Sequence, residues 1–175
     1  KRFTISSRVI TQDVEEKRMV VEMLVSKGQG AVGPILRFMK IHHQVDWPVQ
    51  ALARIVPEPV LIDHLIEIIE NVAESEFTVS AHRVSLLRAI QGHVTEAMSP
   101  TLQTFLNDSD DDVRIVAIEG LASIGESVRA LLLECFLEAE DRPRIRRRIA
   151  EIFVDHEWPV KGFRPKIEET LPDGF

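Results

Sequence analysis

The chain has 175 residues, 45% of them apolar and 28% charged, with a formal net charge of −7 at pH 7. That is enough for a sizeable core, and the acidic balance disfavours nucleic acid and anionic membrane as partners of the molecule as a whole. Cys135 is the single cysteine, which excludes an intrachain disulfide and a thiolate metal cage.

No window approaches 18 uninterrupted apolar residues, and Lys1-Arg2-Phe3-Thr4 does not open a signal peptide. The expectation is a cytoplasmic protein with no membrane partner. An initiator methionine is missing, so a segment upstream of Lys1 is expected. Arginine outnumbers lysine 15 to 6, which favours positions that need a planar fork of donors.

In chain order, the pattern predicts an extended stretch at Phe3 to Ile10 and helices thereafter. A helix over 13–26 carries Val20 and Leu24, two apolar residues four apart, with Lys17 three places earlier. Gly28-Gln29-Gly30 separates it from a helix over 30–41 holding Ile35, Leu36 and Met39. The apolar pair returns as Ala51 and Ile55 in a helix over 46–56, here behind Pro48, which suits a first helical turn. Pro57-Glu58-Pro59 opens the next helix, over 58–72. Leu86 and Ile90, with Arg83 before them, mark a helix over 78–92, and Ser99-Pro100 opens one over 98–107. Ala117 and Leu121, behind Arg114, mark 110–124, and the apolar run around Leu131 and Leu132 marks 127–139. Ile149 and Phe153, behind Arg146, mark 142–155, and Phe163, Ile167 and Leu171 mark 162–171.

The anchors Val20, Ala51, Leu86, Ala117 and Ile149 follow one another at 31, 35, 31 and 32 residues. A period of this length is the signature of a stacked repeat. The sharpest copy runs from Leu106 to Gly125. Asp108 to Asp112 place carboxylates at the free N–H groups of a helix start, Val113, Ala117, Leu121 and Ile124 form one apolar stripe, and Gly125 stops the helix.

Leu-x-Asp-x-Asp-x-x-Val-Arg-x-x-Ala-x-x-x-Leu, read from Leu106 to Leu121, resembles the HEAT repeat, particularly the short bacterial form found in phycobilisome-lyase proteins. The resemblance implies an all-α, right-handed superhelical solenoid of antiparallel helix pairs, with 1–175 as one repeat domain of about five pairs. It also implies that the helices over 13–26, 46–56, 78–92, 110–124 and 142–155 line the concave side. In such repeats the arginine at the position of Arg83, Arg114 and Arg146 pairs with an acidic loop residue next door, so these three are expected to form a structural ladder.

If the anchors face the core, residues two before and two after them look away from it. That gives Arg18, Val49, Val84, Ile115 and Arg147 in one row, and Glu22, Ala53, Arg88, Glu119 and Glu151 in the other. The candidate partner-binding residues are Arg18, Val49, Val84, Arg88, Ile115, Glu119 and Arg147, an aliphatic strip with charged margins. The same aliphatic residues also suit wedging between repeats. The arginines of Arg142 to Arg148 suit either a dock for phosphate or acidic peptide or a solvated face answering the aspartates one repeat earlier. Trp47 and Trp158 are expected in inter-repeat packing.

No catalytic motif, phosphate loop or small-molecule site is evident, His42-His43 lacks the spacing of a metal site, and no cofactor or metal is expected. The leading functional expectation is a non-catalytic scaffold or adaptor that binds protein through the concave face. Resemblance alone raises two alternatives, a tetrapyrrole lyase or chaperone and a HEAT-like DNA glycosylase using the arginines at 18, 83, 88, 114, 146 and 147.

Overall fold

The computed structural model describes residues 10–74, 80–139 and 141–170. Among them every regular element is helical, so the fold is all-α. The extended stretch expected before Ile10 lies outside the described residues, and Ile10 itself opens a helix.

The helices group into two compact units, one ending at His93 and one starting at Val94. The first holds α1 (Ile10–Ser26), α2 (Val32–Ile41), α3 (Asp46–Ile55), α4 (Glu58–Glu74) and α5 (Ser80–Ala89). The helices expected on the inner side stack in order, α1 on α3 and α3 on α5, while α2 packs on α4. Tight 3-10 turns make the joints, as at Gly28–Ala31, where Gly28 takes a left-handed φ of 55°.

The second unit holds α6 (Ser99–Thr104), α7 (Asp111–Ile124), α8 (Arg129–Glu138), α9 (Pro143–Asp155) and α10 (Arg164–Thr170). Here α7 stacks on α9, with α6 and α8 packed against them and α10 against α8. The aspartate cluster builds the start of α7 as its composition requires. Asp108 Oδ1 accepts from the Asp110 amide at 2.9 Å, and Asp110 Oδ1 accepts from the Asp112 amide at 2.8 Å. Gly125, at φ 114° and ψ −161°, ends the helix in a conformation open only to glycine. Pro143 occupies the first turn of α9.

The anchor stripe is the core. Ala51, Leu86, Ala117 and Ile149 are all buried, as are their partners Ile90, Leu121 and Phe153. Val20 and Leu24 of α1 are half-buried. The residue after each anchor is buried too, in Val21, Leu52, Leu87 and Ile118.

A buried side chain that the repeat pattern did not reveal ties α5 to α2. His82 Nε2 donates to the Met39 carbonyl at 2.9 Å, capping an α2 carbonyl that has no partner within its own last turn. Burial, with His43 and His42 adding a smaller like-charge effect, holds the His82 imidazole below its usual pKa despite that bond.

Candidate interaction surface

Along the inner helices, acids of one helix meet arginines of the next. Glu22 of α1 takes a two-pronged contact from Arg54 of α3, at 2.5 and 2.8 Å. Arg144 Nη2 of α9 lies 2.6 Å from Asp112 Oδ1 of α7, Arg148 Nε lies 2.7 Å from Glu119 Oε1, and Arg142 reaches Asp111. Arg148 also reaches Glu151 at 3.1 Å, and on the outer layer Lys40 of α2 reaches Glu67 of α4 at 2.7 Å. The Arg54 hydrogen bond lowers the Glu22 pKa, and the Lys40 hydrogen bond does the same for Glu67. These groups sit near solvent, so they fix the register of neighbouring helices more than they add stability.

The arginines at 83, 114 and 146 recur at one position per repeat. Each has a guanidinium nitrogen buried, Arg83 Nε, Arg114 Nε and Arg146 Nη2. Arg146 Nε donates to the Phe136 carbonyl at 3.1 Å, and its guanidinium lies 4.7 Å over the Phe136 ring. Standing three places before the anchor, it points at the last turn of its own outer helix, where free carbonyls and the negative dipole end attract a cation. The expected ladder position is thus turned inward at Arg146, and the inter-repeat acid contacts of unit two come from Arg142, Arg144 and Arg148.

The candidate partner-binding residues separate into three groups. Val49 is 2% exposed, so it is a packing residue and presents nothing to a partner. Val84 and Ile115 are half-buried, and Glu119 is held by Arg148. Arg18, Arg88 and Arg147 are exposed, and among the described residues no hydrogen bond or ion pair engages them. Arg18 lies at the edge of a furrow of about 400 Å³ between α1 and α3, with Glu22, Trp47, Gln50 and Arg54 around it.

Unit two also carries an apolar cleft of about 270 Å³. Leu133 and Phe136 of α8, Phe153 and Val154 of α9, Ile167 of α10 and Trp158 of the α9–α10 connection contribute to its lining. Glu157, at a left-handed φ of 54°, turns the chain so that the Trp158 amide bonds the Phe153 carbonyl at 2.9 Å and the two rings meet edge to face at 5.5 Å. The cleft was not legible beforehand because its aromatic members read as ordinary core. At this volume it falls below the usual range of about 300–1,000 Å³ for small-molecule sites.

Among the described residues no group of three or more His, Cys, Asp or Glu side chains is placed to hold a metal ion. None of their helices is long and apolar enough to cross a membrane.

Compared with known families, the profile of HEAT repeats matches residues 62–152, more than half of the chain. The chain belongs to the HEAT-repeat family. That match spans α7 and most of α9, the two helices whose acid–arginine contacts are described above. Neither the curated proteins nor the solved structures yield a match.

Proposed function

We propose that this HEAT-repeat chain is a non-catalytic protein-binding scaffold whose inner helices receive acidic segments of a protein partner. The observation that carries the reading is the contrast among its arginines. Arg54, Arg142, Arg144 and Arg148 are occupied by acids of the chain itself, whereas Arg18, Arg88 and Arg147 stand exposed with no such contact among the described residues. An exposed guanidinium suits a partner's carboxylates, which it binds through two parallel hydrogen bonds. Val84 and Ile115, each half-exposed in the same row, supply apolar contact. Arg18 and Arg88 belong to the first unit and Arg147 to the second, so each unit offers exposed arginine of its own.

The test is affinity purification of the tagged protein from its host, followed by reconstitution with the purified partner. A control would carry Arg18→Glu, Arg88→Glu and Arg147→Glu. With the helical circular dichroism signal unchanged, the control should lose the partner. A partner held equally by both proteins would move binding to another surface. Recovery of a pigment with visible absorbance would favour the tetrapyrrole reading, and nucleic acid whose binding collapses with salt would favour the DNA reading.

A further inference from the structure

We propose that the furrow between α1 and α3 seats one carboxylate side chain of the partner's segment, with an aliphatic residue beside it. This rests on the protein-binding reading above and gives the partner a local chemistry. The furrow holds about 400 Å³, lined by Arg18, Val21 and Glu22 of α1 and by Trp47, Gln50 and Arg54 of α3. Arg18 thus stands over the gap between two helices that pack on each other. Arg18 and Glu22, four places apart, share one face of α1.

Charge decides what the furrow takes. Glu22 is the one acid of its lining, and both Glu22 oxygens are held by Arg54, at 2.5 and 2.8 Å. That pair is neutral, which leaves Arg18 as the uncompensated charge, exposed and without a hydrogen bond or ion pair among the described residues. A guanidinium offers paired donors that match the two oxygens of a carboxylate. One free guanidinium balances one negative charge. A phosphate carries close to a double charge and would need Arg54 as well, which Glu22 already occupies. The remaining lining sets what flanks the acid. Val21 is buried at 4% exposure, and Trp47 is half-buried in the first turn of α3, so part of its ring remains open to an aliphatic neighbour. Gln50, exposed one turn further on, can donate to a main-chain carbonyl of the same segment.

The test is an NMR titration of the isotope-labelled full chain with the tripeptide acetyl-Leu-Glu-Leu-amide. Trp47 lines the furrow and Trp158 belongs to the other unit, so the two indole N–H resonances report separately. The peptide should shift the Trp47 resonance and leave that of Trp158 in place. Replacing the peptide's glutamate by glutamine, or Arg18→Gln in the protein, should each weaken binding at least about tenfold, the worth of one charge-assisted contact. Arg147→Gln should leave the titration unchanged. Glu22→Gln, which frees Arg54, should turn the preference toward a phosphoserine peptide, with the helical circular dichroism signal unchanged. A Trp47 resonance that stays still, or moves equally with the glutamine peptide or in Arg18→Gln, would overturn the proposal. So would a native protein that prefers the phosphoserine peptide. The scaffold reading survives those results as long as the triple arginine control still loses the partner. If that control keeps the partner while Trp47 responds to the peptide, the scaffold surface fails and the furrow stands.

Discussion

Ile118→Ala, set beside Val154→Ala, tests the stacking register most directly. Ile118 is 1% exposed on the α7 flank that faces α9, whereas Val154 is 76% exposed on the corresponding flank of α9. Truncating Ile118 removes three carbons, about 2.4 kcal/mol of transfer free energy at ~0.8 kcal/mol per methylene. The cavity left between two helices raises this to about 3–4 kcal/mol. Truncating Val154 removes little buried surface and should stay within about 0.5 kcal/mol. Urea unfolding in a Trp47→Phe background leaves Trp158 as the sole tryptophan, so fluorescence follows the second unit. With a slope of about 1.5 kcal/mol per molar urea, Ile118→Ala should lower the midpoint by about 2 M. A loss below about 1 kcal/mol for Ile118→Ala, or above about 1.5 kcal/mol for Val154→Ala, would refute the register.

Three other outcomes follow from local chemistry. The folded His82 has a lowered pKa, so the unfolded chain binds more protons below about pH 6.5, and first-unit stability should fall as pH drops through that value toward the lower folded pKa. His82→Gln keeps a donor for the Met39 carbonyl and should flatten that slope in pH-dependent unfolding followed by Trp47 fluorescence. Burial, with Glu138 assisting, pushes the Cys135 thiol up to about 11. Alkylation at pH 8 should therefore run on the order of 100-fold slower in the native protein than in urea, as read by mass spectrometry. Gly125→Ala meets no side chain but forces alanine into a glycine-only region, so it should cost about 1–3 kcal/mol in the same urea assay.

The helices were legible because each stripe repeats and each joint has a chemical stop. Asp110, Gly125 and Pro143 act on the backbone within a turn of themselves, and the structure places α7 and α9 within a residue or so of the expected bounds. Sequence alone could not sort Val49 from Val84 and Ile115. All three stand two places before an anchor, yet Val49 is buried and the others are half-exposed. Exposure at that position is set by tertiary packing, which periodicity does not report. The His82 contact was hidden for a similar reason. Its acceptor is a carbonyl 43 residues away, and a main-chain atom leaves no mark in the sequence.

The arginines show how a repeat pattern can be right in period and still leave partners open. Arg83, Arg114 and Arg146 each bury one guanidinium nitrogen, and Arg146 satisfies the end of its own outer helix at Phe136. The charged contacts between repeats need no such recurrence, because long side chains on a solvent-facing row reach any acid within a turn. Arg54 stands three places after its anchor and Arg148 one place before, yet both meet a glutamate two places after the preceding anchor. The acid therefore holds its place from one junction to the other while the base moves. On that reasoning Glu22 and Glu119 are the residues that set the junctions. Arg18, Arg88 and Arg147 lie outside these contacts, and that exclusion, more than their charge alone, is why we propose them as partner-binding residues.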